Sequence, residues 1–212
     1  MKKELSVLIK GILAGIAISI GGTVFLALDN KVVGSLLFTV GLFTVCTHGF
    51  NLYTGKVCYV FDNDKKYGLE TILIWIGNLF GCVIVTTLLH LTRASSAMME
   101  KASLMCDVKL NDSLLSIFIL GIFCNILIYI AVDGFKNNPH EFGKYLALIF
   151  GVMVFILCGF EHCVANMYYI SMARAWSKEA FIFILINTLG NAVGGVSIPL
   201  LKKLGERVGK EK

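Results

Sequence analysis

Charge is what this sequence has least of. Only 16% of its 212 residues are Asp, Glu, Lys or Arg, against roughly 25% in ordinary soluble domains. With 57% hydrophobic residues and a mean hydropathy of +0.79, the chain cannot supply the polar surface that a water-soluble domain of this length requires. Proline is nearly missing at 2, so a break in a long apolar segment has to come from the 21 glycines. The seven cysteines (Cys46, Cys58, Cys82, Cys106, Cys124, Cys158, Cys163) form no Cys-x-x-Cys pair and no His/Cys cluster at metal-ligand spacing. Six of them lie in apolar runs and read as small core side chains at helix contacts, with no disulfide framework, no metal and no cofactor expected. No aromatic-interleaved basic stretch exists, and the net charge of +5 sits mostly near the ends, so nucleic acid is excluded as a partner.

What is present is a series of long apolar runs. A bilayer crossing needs about 20 such residues, and six segments qualify: Leu5–Leu28, Val33–Phe61, Leu69–Leu91, Ser113–Val132, Tyr145–Ala173 and Ala180–Leu201. The first is too long for a signal-peptide core and has no small-residue cleavage site. The expected fold class is therefore all-α membrane, with residues 1–212 as a single transmembrane domain. Short polar connectors separate the runs, and only Arg93–Asp112 is long enough to hold further structure.

Basic residues set orientation. With both termini cytoplasmic, the inner set is Lys2, Lys3, Lys10, Lys65, Lys66, Lys136, Lys144, Lys202, Lys203, Arg207, Lys210 and Lys212. The outer set is Lys31, Arg93, Lys101, Lys109, Arg174 and Lys178, half as many. Lys56 belongs to neither set and falls inside the second run.

Runs two and five are too long to be simple crossings, and both contain polar interruptions. These are Thr47-His48-Gly49-Phe50-Asn51 with Thr54-Gly55-Lys56, and Gly159-Phe160-Glu161-His162 with Asn166. Non-helical backbone at membrane depth is tolerated only where it lines a cavity or is buried in protein, so the interruptions point to a pathway. The halves match: Gly49-Phe50-Asn51 and Gly159-Phe160-Glu161 are 110 residues apart, Gly77-Asn78-x-x-Gly81 and Gly190-Asn191-x-x-Gly194 113 apart. With three runs per half (about residues 1–105 and 106–212), the second half enters the membrane with opposite polarity, an aquaporin-like inverted 3+3 repeat with broken helices 2 and 5. The Gly-Asn-x-x-Gly residues have a packing role available as close helix contacts bridged by a buried amide.

Ionisable groups at bilayer depth are costly and are functional candidates by default. That singles out His162 beside Glu161, with Thr54 offering a hydroxyl at the other interruption. His48 and His90 read as structural, and His140 lies in a polar loop. A membrane enzyme using Glu161 and His162 as an acid–base pair would also need a nucleophile or metal shell, and the apolar runs hold no second such cluster. A purely structural or sensory protein has no need of mirrored polar breaks.

Leu52-Tyr53-Thr54-Gly55, the string Gly159-Phe160-Glu161-His162-x-x-Ala165-Asn166-Met167 and the Gly-Asn-x-x-Gly of the sixth run closely resemble the formate/nitrite transporter family, over essentially the whole chain. The resemblance implies a pentamer in the cell (inner) membrane whose protomers each pass small monovalent anions of weak acids: formate first, then hydrosulfide or nitrite, with protons as partner. It makes His162 the central pore histidine, Thr54 its partner, Glu161 and Asn166 polar supports, Lys109 the lysine preceding span four and Asn125 a buried asparagine of that span. It places constrictions at Phe38 and Phe155 on the outer side and at Leu42, Leu52 and Tyr53 on the inner side. In this picture the field of Lys109 and unpaired N–H groups of the helix N-termini at the breaks draw the anion in. Three positions depart from the family pattern: Asn51 for an acidic residue, Tyr53 for Phe, and Ile186-Asn187-Thr188 where proline commonly precedes the threonine.

Overall fold

In the computed structural model, which describes residues 2–210, every regular element is a helix. α1 (Lys2–Ala27) leads through a short loop to α2 (Lys31–His48), whose first turn is closed by Asn30 Oδ1 accepting from the Val32 and Val33 amides at 3.0 and 3.1 Å. The second apolar run then breaks at Gly49 and resumes as α3 (Tyr53–Lys56), continued by a 3₁₀ turn over Val57–Asp62. α4 (Lys65–His90) starts inside the polar connector, because Asp64 caps it by accepting from the Tyr67 amide at 2.9 Å. The long connector does hold structure, α5 (Ser95–Leu110), which precedes α6 (Leu114–Asn137). The fifth run is split into α7 (Glu141–Leu157) and α8 (Cys163–Met172). α9 (Lys178–Lys210) continues nine residues beyond the apolar end at Leu201 as an exposed, charged extension. Lys212, one of the inner basic set, lies outside the described residues.

α1, α2, α4, α6 and α9 are each long and apolar enough to cross a bilayer. Many of their large apolar side chains face outward: Leu69, Phe80, Leu88, Leu115 and Leu189 are all more than half exposed. In water that would be untenable; against lipid tails it costs nothing.

Close helix contact is made by the expected small residues. α1 packs along α4 and α6 along α9, with Gly77 against the Leu8 carbonyl, Gly81 against Ile12, Gly190 against Phe118 and Gly194 against Ile122. A Cβ at Gly77 would sit 2.8 Å from the Leu8 oxygen, so any side chain there forces the helices apart.

Ion pairs fix which ends meet. Lys3 pairs with Glu70 at 2.6 Å at one end of the bundle, where Lys202 also pairs with Asp133 at 3.5 Å and Lys203 with Asp62. The first and last described residues therefore lie at the same end. At the opposite end Lys101 of α5 pairs with Asp29 in the α1–α2 loop at 2.7 Å and holds that carboxyl below the usual carboxylate range.

Candidate functional site

Both interruptions are built the same way. Gly49 (φ 65°) and Gly159 (φ 71°) adopt the left-handed conformation that ends α2 and α7. The next amide turns back, Phe50 N–H to the Val45 carbonyl at 3.0 Å and Phe160 N–H to the Phe155 carbonyl at 2.9 Å. One residue on, the chain is tied to a neighbouring helix: the Asn51 amide donates to the Lys10 carbonyl at 3.1 Å, the Glu161 amide to the Leu120 carbonyl at 3.3 Å. A buried asparagine then closes each break. Asn78 Nδ2 donates to the carbonyls of Gly11 (2.8 Å) and Asn51 (2.9 Å) while its Oδ1 accepts from the Tyr53 amide at 2.9 Å. Asn191 Nδ2 donates to Gly121 and Glu161, both 2.8 Å, and its Oδ1 accepts from the Cys163 amide at 2.9 Å. The Gly-Asn-x-x-Gly pairs thus do more than pack helices, since each asparagine satisfies two backbone groups that the break exposes and ties them to a carbonyl of a neighbouring helix.

The expectation that the N-termini at the breaks present free N–H groups is corrected at three amides, those of Tyr53, Cys163 and Ala165. The Tyr53 and Cys163 amides go to Asn78 and Asn191, and the Ala165 amide donates to His162 Nδ1 at 3.1 Å. Buried backbone donors in an apolar setting are satisfied by protein first, and the intramolecular caps win.

The two breaks meet at His162 and Thr54. His162 Nε2 and Thr54 Oγ1 are 3.0 Å apart, and both residues are buried. Because Nδ1 accepts the Ala165 N–H, a neutral ring carries its proton on Nε2 and donates it to the threonine oxygen; this tautomer is assigned from the bonding pattern. Protonating Nδ1 would set two N–H groups against each other, so the cap favours the neutral imidazole. At the position 110 residues earlier stands Leu52, which makes no side-chain cap. The pattern is duplicated, but the capping imidazole sits in one half only.

Asn125 supports the threonine from α6: its Nδ2 donates to the Thr54 carbonyl at 3.0 Å and to the Asn191 carbonyl at 2.7 Å, and its buried Oδ1 has no protein partner. Glu161 Oε2 accepts from Lys109 Nζ at 2.5 Å and from Asn166 Nδ2 at 2.7 Å. The carboxylate is thus held by side chains rather than by backbone N–H groups. Lys109, expected to contribute a free positive field, is instead one member of a largely buried ion pair whose charges cancel at a distance. Asn187 completes the cluster, accepting from Asn166 at 2.9 Å and donating to the Glu161 carbonyl at 2.6 Å. In the sequence Asn187 stands out only as a departure from a proline pattern, although an amide in an apolar run is itself a signal of such a site.

Cavities of about 740 and 420 Å³ flank this cluster, and they share no lining residue. The larger is lined by Leu42, Leu52 and Lys56 near the C-terminal end of α2, the smaller by Lys31 at the N-terminal end of α2 with Phe155, Glu161, His162 and Lys109. They open at opposite ends of that helix. Phe38, Tyr53 and Thr54 line neither, and all three are buried with Leu42, Leu52 and Phe155 in the partition between them. Phe38 meets Phe155 edge-on at 6.1 Å, and Phe155 stacks on the His162 ring at 5.6 Å. His48 and His90 lie elsewhere, stacked on Phe50 at 5.5 Å and bonded to Ser95 at 3.1 Å.

The sequence model of the formate/nitrite transporter family matches residues 2–202, from α1 to the end of the apolar part of α9. The chain belongs to that family. Formate channel FocB of Escherichia coli (strain K12) is 27% identical, the match covering 82% of this chain and 68% of FocB. An uncharacterized transporter of Bacillus subtilis (strain 168), YrhG, is 30% identical over 90% of this chain and 80% of its own. Among solved structures, a pentameric formate channel with formate bound superimposes with a TM-score of 0.79 at 24% identity, covering 100% of this chain and 99% of that one. The protein is accordingly a multi-pass membrane protein of a family of channels and transporters, and its fold is that of the family.

Proposed function

We propose that the chain is a channel or transporter for small monovalent anions of weak acids, most readily formate, with proton-linked passage past His162. One observation carries the reading: the hydrogen-bonded His162–Thr54 pair stands in an apolar partition between two cavities that open at opposite ends of the molecule. Taking an anion into such a partition costs about 20 kcal/mol by the idealised Born figure and several kcal/mol after relaxation. Protonation of the anion removes most of that barrier. In this reading the neutral His162 ring offers its Nε2 proton as a hydrogen bond to the arriving oxygen, displacing Thr54, while the anion is neutralised by a proton from hydronium in the adjoining cavity, leaving water, and returns that proton to water in the opposite cavity.

The surrounding architecture is proposed to be a single domain of six crossings, an inverted 3+3 repeat in which α2 with α3 and α7 with α8 form the interrupted spans. Both termini face the cytoplasm of the inner membrane, following the basic-residue bias. The protomers assemble as a pentamer, as the formate channel of similar fold does.

Uptake of labelled formate, nitrite and hydrosulfide into proteoliposomes tests the proposal. Formate uptake that rises as external pH falls is the expected result, and the ranking of the three anions identifies the substrate. His162→Phe keeps the ring volume and should flatten the pH dependence while leaving assembly intact. An unaltered pH profile in a correctly assembled variant removes the histidine from the mechanism.

A further inference from the structure

Lys56 interrupts an apolar run without having been absorbed by the His162 cluster, and its surroundings give it a purpose. It lines the larger cavity together with Lys136 of α6, Tyr59, Tyr67, Asp62 and Leu52. The acids near that mouth are already taken: Asp62 pairs with Lys203 and Asp133 with Lys202, both lysines coming from the C-terminal part of α9. Among the described residues, no carboxylate pairs with Lys56 or Lys136. Lys136 Nζ lies over the Tyr59 ring, 5.7 Å from its centre, which holds the ammonium at the cavity wall. The Tyr59 hydroxyl is buried with no hydrogen-bond partner, a spare donor in the same wall. Lys56 itself is fixed through its carbonyl, which accepts the Tyr67 hydroxyl at 3.0 Å. A lysine placed in a membrane-spanning segment without a counter-ion is costly and is a site candidate by default.

We infer that Lys56 and Lys136 form an anion-collecting subsite in the larger cavity, which concentrates small monovalent anions on the approach to the Leu42–Leu52 part of the partition. The inference rests on the transport reading of the same pathway. Two uncompensated positive charges inside a low-dielectric funnel raise the local concentration of a small anion, whereas Lys109 at the other cavity is neutralised by Glu161. The two approaches therefore differ in degree: two lysines without a carboxylate partner line the larger cavity, whereas the smaller has one, Lys31, whose Nζ donates to the Leu157 carbonyl, beside the neutral Lys109–Glu161 pair.

Two measurements on the full-length protein separate this inference from the transport reading. Crystals soaked in bromide should show anomalous density beside the Lys56 and Lys136 ammonium groups, lost in Lys56→Gln/Lys136→Gln; its absence in the parent overturns the subsite whatever the flux. In proteoliposomes carrying formate at low ionic strength, the same double variant should raise the half-saturating concentration about three- to ten-fold with maximal flux unchanged, by loss of local concentration. Lys56→Arg/Lys136→Arg should restore the parent value, and the difference should shrink at about 1 M salt. Bromide density with unchanged half-saturation means an adventitious ion only and overturns the proposal. A parent that carries none of the three anions defeats the transport reading, while the bromide density still decides the subsite.

Discussion

His162 illustrates how a side chain acquires its character from two bonds rather than from its type. Its Nδ1 is committed to the Ala165 amide and its Nε2 to Thr54, so the ring is held as a donor toward the partition. Lys109 and Glu161 show the reverse case, in which two charges lose their separate identities by pairing at 2.5 Å in a site where little of either side chain is exposed. Removing one partner of such a pair leaves a buried, uncompensated charge and typically costs about 3–5 kcal/mol, whereas removing both is much cheaper. Lys109→Gln and Glu161→Gln should therefore each destabilise the protein by about 3 kcal/mol, and the double variant should recover more than half of the loss. Thermal unfolding of the three variants in detergent reads this directly; additive losses would mean that the two groups do not act as a pair. Glu161 also accepts from Asn166, which is itself tied to Asn187. Asn187→Leu should accordingly disturb the same cluster.

The governing elements are the two interrupted helices. Each break consists of a left-handed glycine, a turned-back amide and a cross-helix asparagine, and the repetition of these bonds, the glycines and amides 110 residues apart and the asparagines 113, shows that one structural solution serves both halves. Beyond the breaks the two halves diverge. α8 runs for ten residues as regular helix, while α3 is a single turn that passes into a 3₁₀ segment. The 3₁₀ hydrogen bonds have poorer geometry, which makes the Leu52–Asp62 side the more deformable of the two. Leu52 and Tyr53 belong to this weaker element, next to Thr54. Removing their bulk with Leu52→Ala and Tyr53→Ala should widen the partition and lower its discrimination, so that acetate or lactate flux rises relative to formate. A selectivity ratio that stays constant in a variant of unchanged assembly would place the narrowest point at Phe38 and Phe155 instead.

On the scale of the whole molecule, the helices are arranged so that the lysine-rich ends of α1, α4 and α9 meet at one pole. The other pole carries Lys31, the Asp29–Lys101 pair and Cys158, whose neighbour Leu157 accepts from Lys31 Nζ at 3.3 Å. This polarity makes the proposed topology testable with the natural cysteines. Cys158 is exposed at the second pole, while Cys58, Cys82, Cys106, Cys124 and Cys163 are buried. A membrane-impermeant maleimide added to intact cells should label Cys158, and Cys158→Ser should abolish the labelling. A protease-sensitive tag on either terminus should be cleaved only after permeabilisation. Cleavage in intact cells would reverse the orientation.

The sequence alone determined that this chain is a helical membrane protein, where its apolar runs lie and which two of them break. Those properties depend on the local ratio of apolar to polar residues and on the placement of glycine, which are written position by position. Through motifs that resemble a family it also singled out His162, Thr54 and Asn166, with Asn125 as a buried asparagine of the fourth span. The tertiary structure decided what those residues bond to. That Lys109 is neutralised by Glu161, that Asn78 and Asn191 take up the Tyr53 and Cys163 amides, and that Lys56 lines one cavity with Lys136, neither paired with a carboxylate among the described residues, are facts of distance between residues far apart in the chain. Charge and hydrogen-bonding capacity are carried by the individual residue; whether they are spent or left available depends on which neighbour the fold brings within about 3 Å.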